Sequence, residues 1–135
     1  MNEIALTFPA LPEYVGEVRA ALEDFLRQAG IKGETVADLK AAVSEACANV
    51  VRYAYADDPG DMQICFKLSP QNITVTVTDQ GRGFDTKNPP QRPLNDADIH
   101  LGMGLQLMRG MTDEMAIRSS SAGTIVTLVK KIKFL

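Results

Sequence analysis

The sequence predicts an α+β fold, a two-layer sandwich in which helices cover one face of a largely antiparallel sheet. One observation is that apolar residues repeat at helical spacing through residues 12–29 and 34–56. Another is that they alternate with polar or small residues through 62–77 and 115–132, as in strands with one buried face. The order of segments is strand, helix, helix, hairpin, irregular segment, helix, hairpin, and hairpins pair neighbouring strands antiparallel.

The first third of the chain is predicted to form a short strand and two helices. Apolar side chains alternate over residues 4–8, and Pro9 ends this edge strand because proline cannot donate to a ladder. Pro12 suits the first turn of a helix, and Gly30 is a typical stop. A longer helix is predicted from Glu34 to about Ala56.

The remainder is predicted to form two hairpins with a long irregular segment and a third helix between them. The turn signal at residues 57–60 separates the second helix from the hairpin over 62–77. Residues 84–101 show no sustained period and contain several prolines, so we expect either a mobile functional lid or a disordered segment there. The third helix is expected to begin near Gly102, and a hairpin over 115–132 completes the domain.

Size and charge narrow the function. A length of 135 residues fits one domain spanning 1–135, and the formal net charge of -3 offers no basic surface for nucleic acid. The chain has neither a basic start followed by an apolar run nor an apolar stretch of about 18 residues, so we expect no secretion signal and no membrane anchor. Cys47 and Cys65 lack CxxC spacing and are interpreted as reduced core thiols, which fits a cytoplasmic location.

A polar strip on the second helix is the first candidate site. Glu45, Asn49 and Arg52 stand at positions i, i+4 and i+7, so their side chains should project from one side of the helix. A solvated helix face explains this spacing equally well. However, alanines flank the strip at positions where a solvent-exposed helix face would more often carry long polar residues. Small neighbouring side chains leave space for a ligand.

Two glycine motifs follow. Asp79, Gly81 and Gly83 form a DxGxG motif where a strand ends; glycine allows close backbone approach there, although such turns also occur for conformational reasons alone. Gly102-Met103-Gly104 is expected to open the third helix, where free backbone N–H groups bind anions; a flexible hinge is the alternative. No GxxxxGK[ST] loop occurs in the chain.

The order of these motifs, closed by Gly123-Thr124 between two strands, resembles the GHKL, or Bergerat, ATP-binding superfamily. Gyrase-like and chaperone members carry additional domains, and histidine kinases carry a helical hairpin with a phosphorylated histidine. Over nearly its whole length the chain is similar instead to the anti-sigma factor group, including the run from Val43 into Asn49 and the residues Leu107, Met108 and Asp113.

This resemblance implies a function. Members of the group bind ATP or ADP with Mg²⁺, hold a sigma factor inactive as a homodimer, and phosphorylate a serine of an anti-anti-sigma protein with a STAS domain. The resemblance therefore implies a protein serine kinase in the bacterial cytoplasm, without direct binding to nucleic acid or membrane. The alternative is an anti-sigma module that binds nucleotide without kinase activity; a decayed ligand site with only protein contacts is a third reading, which the intact motifs disfavour.

The resemblance also implies residue roles around the phosphates. Glu45 would be the general base that takes the proton of the substrate hydroxyl. Asn49 would ligate Mg²⁺ through its amide oxygen, since this hard cation prefers oxygen. Arg52 would pair with a phosphate, and Gly102, Met103 and Gly104 would present backbone N–H groups to the phosphates.

At the base, Asp79 would accept a hydrogen bond from the exocyclic amine of adenine and so select ATP over GTP. Gly81 and Gly83 would shape the base pocket, and the Thr124 hydroxyl would help to fix the adenine. Arg19 on the first helix matches an arginine used in partner contacts; a solvated helical arginine is the alternative.

The chain departs from the pattern at one position. The member of the anti-sigma factor group that acts in sporulation has an arginine two residues before its GMG motif, positioned to meet the terminal phosphate, whereas this chain has His100. Neutral histidine is a poorer phosphate partner than arginine. Arg92 in the predicted lid is a possible substitute, and the departure keeps the alternative without kinase activity open.

Overall fold

Five antiparallel strands form one sheet in the computed structural model, which describes residues 2–55, 58–82 and 96–132, with backbone only for 96–101. The strands are β1 (Glu3–Pro9), β2 (Asp61–Leu68), β3 (Asn72–Asp79), β4 (Glu114–Ser120) and β5 (Gly123–Lys131). Their order across the sheet is β1-β2-β3-β5-β4. Both predicted hairpins and the edge position of the first strand are therefore confirmed.

The helices are α1 (Pro12–Gln28), α2 (Glu34–Asn49) and α3 (Asp96–Met111), and a π-helical turn (Val50–Ala54) continues α2. Helix α1 begins with the predicted proline and ends before Gly30, which has φ +78°. Helix α2 lies between α1 and α3 and also packs on β3 and β5. This central position places its side chains close to both α3 and the sheet.

The core lies between the helices and one face of the sheet. The inward side chains of β2, β3 and β5, the three inner strands of the sheet, are almost fully buried; they are Met62, Ile64, Phe66, Ile73, Val75, Val77, Val126 and Leu128. They pack against Val18, Leu22 and Leu26 of α1 and against Leu39 and Val43 of α2. Burial of one such side chain contributes about 1.5–3 kcal/mol. The predicted α+β sandwich with helices on one face is confirmed.

Two helix boundaries differ from the predictions. The second helix is α-helical only to Asn49, because the π-helical turn follows it and is wider than an α-helix. At the end of this turn, the Ala54 carbonyl contacts Gly81, which lies just after β3. The third helix begins at Asp96, six residues before the expected start. Acidic residues stabilise a first helical turn, and the cost of a glycine inside a helix is only about 1 kcal/mol, so the glycines do not stop this helix.

The two cysteines differ in position. Cys47 is a buried core thiol as predicted, and burial raises its pKa to about 12. The prediction was wrong for Cys65, which alternates with the buried residues of β2 and so lies on the open face of the sheet, where its thiol is 3.4 Å from Oε1 of Glu3. None of the helices in the described part of the chain is long and apolar enough to cross a bilayer.

Candidate functional site

A pocket of about 370 Å³, open mouth included, lies between α2, α3 and the sheet. Its polar lining includes Asn49, Asp79 and Thr124, whose exposed fractions are 8%, 6% and 4%. Its apolar lining includes Ala46, Val50, Leu105 and Met108. A mostly apolar cleft with a few converging polar groups is the usual form of a small-molecule site. Three of the predicted site residues, far apart in the sequence, therefore meet in one pocket.

Asn49 is the last α-helical residue of α2, and its amide oxygen Oδ1 is buried without a hydrogen-bond partner among the described residues. A buried polar atom left unpaired costs about 1–3 kcal/mol. The amide oxygen of a residue that lines a pocket is suited to a hard cation such as Mg²⁺, which takes oxygen ligands and retains several waters. The position of Asn49 thus fits the metal-binding role that the sequence predicted.

Asp79 and Thr124 lie opposite each other in the pairing of β3 with β5. The Asp79 carboxylate accepts hydrogen bonds from the backbone N–H of Gly81, at 2.9 Å, and from the backbone N–H of Thr124. Burial raises the pKa of Asp79, and these two bonds oppose that rise without cancelling it. The Thr124 hydroxyl lies 2.7 Å from the Ser119 hydroxyl. The carboxylate is therefore a buried, oriented hydrogen-bond acceptor.

Gly81 permits a close approach of two backbone segments. A Cβ atom added to it would lie 2.1 Å from the carbonyl oxygen of Ala54, at the end of the π-helical turn. The turn after β3 therefore packs directly against the end of this helix, and a side chain at position 81 would prevent that contact. The role of Gly81 in shaping the base pocket stays a prediction. Gly83 lies outside the described residues.

We expect Gly81→Ala to lower the free energy of unfolding by about 1–3 kcal/mol, since the new methyl group would overlap a backbone carbonyl that cannot rotate away. Urea unfolding followed by circular dichroism measures this. The matched control is Gly110→Ala in α3, where an added Cβ meets none of the described residues within 4 Å and alanine favours the helix. Equal stability of the two variants would contradict the close approach at Gly81.

Glu45 and Gly104 meet beside the pocket. Glu45 lies one turn before Asn49 on α2 and is half-buried. A Cβ atom on Gly104 would lie 2.6 Å from Oε2 of Glu45 and 3.6 Å from Nδ2 of Asn49. Helix α3 therefore crosses α2 at the predicted acidic and amide side chains, and glycine is what lets it approach so closely.

Other predicted residues lie elsewhere. Gly102 and Met103 lie inside α3 rather than at its N-terminus, so their backbone groups belong to the helix; the prediction that they open it was wrong. The Met103 side chain is 63% exposed. Arg19 is exposed on α1, which packs mainly on α2 and β2 and lies outside the pocket lining.

Arg52 does not join Glu45 and Asn49 on the pocket side. It is exposed and absent from the pocket lining, where Tyr53 stands instead. The reason is the π-helical turn, which has more residues per turn than an α-helix and so rotates position 52 away. Tyr53 could not be predicted as a pocket residue from the sequence, because no local pattern indicates a π-helical turn.

The predicted lid, 84–101, is only partly covered by the described residues. Residues 84–95, including Arg92, lie outside them, and so does the side chain of His100. The backbone of residues 96–101 is helical, as the first turns of α3, instead of irregular as predicted.

Comparison with known proteins agrees with this geometry. Residues 8–130 match the family model of the histidine kinase-like ATPase domain. The chain is 37% identical over 133 residues to the serine-protein kinase RsbW of Bacillus velezensis, covering 93% of this chain and 83% of that protein. It is 35% identical over 130 residues to the protein of the same name from Bacillus subtilis, covering 90% and 81%.

Solved structures share the fold. A structure of the RsbU and RsbW domains of Rv1364c from Mycobacterium tuberculosis matches 96% of this chain and 32% of its own, with a TM-score of 0.74 and 24% identity. The histidine kinase domain of a blue-light activated histidine kinase from Erythrobacter litoralis matches 91% of this chain and 61% of its own, with a TM-score of 0.58 and 23% identity. The chain therefore belongs to the histidine kinase-like ATPase family and, within it, to the group of the RsbW serine-protein kinases.

Proposed function

We propose that this protein is an anti-sigma factor that binds ATP with Mg²⁺ and phosphorylates a serine of an anti-anti-sigma partner with a STAS domain. The observation that carries the proposal is that Asn49, whose buried amide oxygen has no hydrogen-bond partner among the described residues, lines the same pocket as Asp79, with Glu45 one turn away. Relatives named serine-protein kinases, which match 90% or more of the chain, support the type of reaction.

The base of ATP is proposed to bind at the sheet end of the pocket. Asp79 would accept a hydrogen bond from the exocyclic amine of adenine, which guanine does not offer at that position. Its orientation is already set by the N–H groups of Gly81 and Thr124, so little ordering is needed when the base binds. The Thr124 hydroxyl would add a second polar contact, and Gly81 shapes the turn beside it. The resemblance implies that Gly83 also shapes the base pocket.

The phosphates are proposed to lie toward α3. Asn49 would hold Mg²⁺, which when bound would offset the negative charge of the phosphates. For Gly102, Met103 and Gly104 to present free N–H groups, the turns of α3 before them must unwind. Two glycines within three residues lower the cost of that change, because each weakens the helix by about 1 kcal/mol relative to alanine. Arg52 has no role in this proposal, since it is exposed and outside the pocket.

We assign one residue, Glu45, to the chemical step as general base. Glu45 would take the proton from the serine hydroxyl of the partner as the hydroxyl oxygen attacks the γ-phosphorus of ATP; ADP leaves and phosphoserine forms. A carboxylate held on a helix and partly shielded from water by Gly104 is suited to this work when the hydroxyl comes within hydrogen-bond reach.

Two measurements test the proposal. Calorimetric titration with Mg-ADP should show binding at a single site, and incubation with γ-labelled ATP should move label to the STAS-domain protein of the same organism. Absence of nucleotide binding would overturn the whole proposal. Binding of ADP and of a sigma factor without any transfer of label would instead establish the alternative function, a nucleotide-dependent anti-sigma module.

The partner surfaces and location are part of the proposal. Arg19 projects from α1 outside the nucleotide pocket, and so is free to meet a sigma factor or the anti-anti-sigma protein while nucleotide is bound. The net charge of -3 favours capture of a protein over contact with nucleic acid. A protein that sequesters a sigma factor works in the cytoplasm, where transcription takes place.

A homodimer through the open face of the sheet is also proposed. One row of small side chains crosses this face in register on all five strands; it consists of Ala5, Cys65, Thr76, Thr127 and Ala116. Small uncharged side chains let two sheets approach closely, as in the packing of β-sandwiches.

We expect Thr76→Lys to convert the dimer to a monomer, because it places a charge at the centre of this row. Light scattering during size-exclusion chromatography gives the mass. The matched control is Gln28→Lys at the exposed end of α1, which should stay dimeric. A Thr76→Lys variant that elutes as a dimer would exclude this face as the interface.

A further inference from the structure

The Tyr55 hydroxyl links the end of the π-helical turn to the residues that flank the pocket. It accepts a hydrogen bond from the backbone N–H of Gln80 at 2.9 Å and donates one to the backbone carbonyl of Asp61 at 2.5 Å. Gln80 directly follows Asp79, and Asp61 begins β2. One side chain therefore joins three segments that are separated in the sequence.

The ring of Tyr55 is held in place. A Cβ atom on Gly60 would lie 2.3–2.4 Å from three ring carbons, so the ring lies directly against the Gly60 backbone. The Tyr55 carbonyl accepts a hydrogen bond from the N–H of Asp58 at 2.9 Å, and the Gly60 carbonyl accepts one from Ala10 at 2.8 Å. The position of the hydroxyl is thus restricted by the contact of the ring with Gly60 and by the backbone hydrogen bonds of Tyr55 and Gly60.

The turn after Asp79 is fastened to the same helical end by further bonds. The N–H of Arg82 donates to the Ala54 carbonyl at 2.9 Å, and Nε of Arg82 donates to the Tyr53 carbonyl at 3.1 Å. Gly81, which lies between Gln80 and Arg82, donates its N–H to Oδ1 of Asp79 at 2.9 Å. Movement of Gln80 would therefore displace the donor that orients the Asp79 carboxylate.

We propose that Tyr55 is a positioning residue for base recognition, acting through Gln80 and Gly81 on the Asp79 carboxylate. This inference rests on the proposed function of the pocket as an adenine nucleotide site. Tyr55 does not line that pocket, so its effect on the base is exerted through Asp79 alone. Loss of its hydroxyl should weaken the interaction that Asp79 is proposed to make with the base, the bond to the exocyclic amine, and leave binding of the phosphates unaffected.

The test uses Tyr55→Phe, which keeps the ring and its contact with Gly60. We expect the Kd for Mg-ADP and the KM for ATP to rise about 5- to 10-fold, the usual effect of one lost hydrogen bond, with kcat within about twofold. Inosine diphosphate lacks the exocyclic amine, so its Kd should change by less than about twofold. The preference for ADP, measured as the Kd for inosine diphosphate divided by the Kd for ADP, should therefore fall. In an Asp79→Asn background, Tyr55→Phe should have no further effect on ADP.

Two variants complete the design. Tyr14→Phe removes a hydroxyl from α1, where the ring packs against Phe8 at 6.0 Å between centroids, and should leave both affinities unchanged. Gly60→Ala keeps the Tyr55 hydroxyl but displaces the ring, and so should lower the preference for ADP over inosine diphosphate as Tyr55→Phe does. Thermal unfolding of each variant reports whether the fold is retained.

The outcomes separate the inference from the proposed function. If the wild-type protein does not bind Mg-ADP, the proposed function fails and this inference fails with it. If it binds ADP in preference to inosine diphosphate and Tyr55→Phe keeps that preference, only the inference is overturned. Equal weakening of both nucleotides, or a lower Tm with an unchanged preference, would mean that Tyr55 is structural only.

Discussion

Replacement of Glu45 by glutamine is expected to lower the rate of phosphoryl transfer by about 10²- to 10⁴-fold, the usual contribution of a general base. Glutamine has the shape of glutamate and can keep the contact with Gly104, but it cannot take the proton of the serine hydroxyl. Affinity for Mg-ADP should stay within about twofold, because Glu45 lies beside the pocket and does not line it.

The measurement is the initial rate of label transfer from ATP to the STAS-domain partner, with calorimetry for ADP binding. Glu34→Gln is the matched control, since it makes the same change in the first turn of the same helix, where the side chain is exposed. Transfer at the wild-type rate in Glu45→Gln would remove Glu45 from the chemical step.

Replacement of Asp79 by asparagine is expected to raise the Kd for Mg-ADP by about 10- to 150-fold, since a hydrogen bond to a charged group contributes about 1.5–3 kcal/mol. The amide can still accept the Gly81 N–H, but its NH₂ group would face the adenine amine with a second donor. Binding of inosine diphosphate should fall much less, because that base has no amine at the position.

The same variant should be at least as stable as the wild type at neutral pH. Burial raises the pKa of Asp79 above its ordinary value of 3.8, so the folded state favours the neutral carboxyl group. The contribution of this carboxyl group to the free energy of unfolding is fully present below pH 3.8. It is lost as the pH rises through the raised pKa that the group has in the folded state. Asparagine is neutral throughout and should remove this dependence.

Thermal unfolding between about pH 3.5 and pH 7, a range that includes the ordinary pKa of 3.8, measures the difference in stability between the two proteins. Affinity for ADP in the wild type should follow the opposite trend and fall on acidification, because the ionised carboxylate is the better acceptor. Asp113→Asn is the control, as Asp113 is exposed and also accepts a backbone N–H, that of Lys131. A marked loss of stability in Asp79→Asn at pH 7 would show that the charge holds the turn and contradict this prediction.

Much of the fold could be predicted because its signals are local. Alternation over β2 and β3 fixes which side chains face the core, since a strand has a period of two, and Pro12 and Gly30 mark the ends of α1. Glu45 and Asn49 could be paired for the same reason, because positions i and i+4 of one helix are neighbours in any fold.

The meeting of these residues with the rest of the site depends on contacts between distant parts of the chain. Asp79 reaches Thr124 through the register of β3 with β5, and Gly104 reaches Glu45 through the crossing of α3 on α2. The order of motifs indicated this arrangement only through resemblance to a family. Nothing in the local pattern predicts the π-helical turn, which moves Arg52 out of the pocket and brings Tyr53 in.

By itself, then, the sequence determined the type and order of the elements, the inward face of each, and the pairing of Glu45 with Asn49 on one helix. Tertiary structure alone decided where α2 becomes π-helical, where α3 begins, and how Tyr55 is tied to Gln80. The physical reason is the range of the forces involved. Hydrophobic periodicity acts within one element, whereas a carbonyl pressed against Gly81 or a hydroxyl bonded to Gln80 exists only when separate elements pack together.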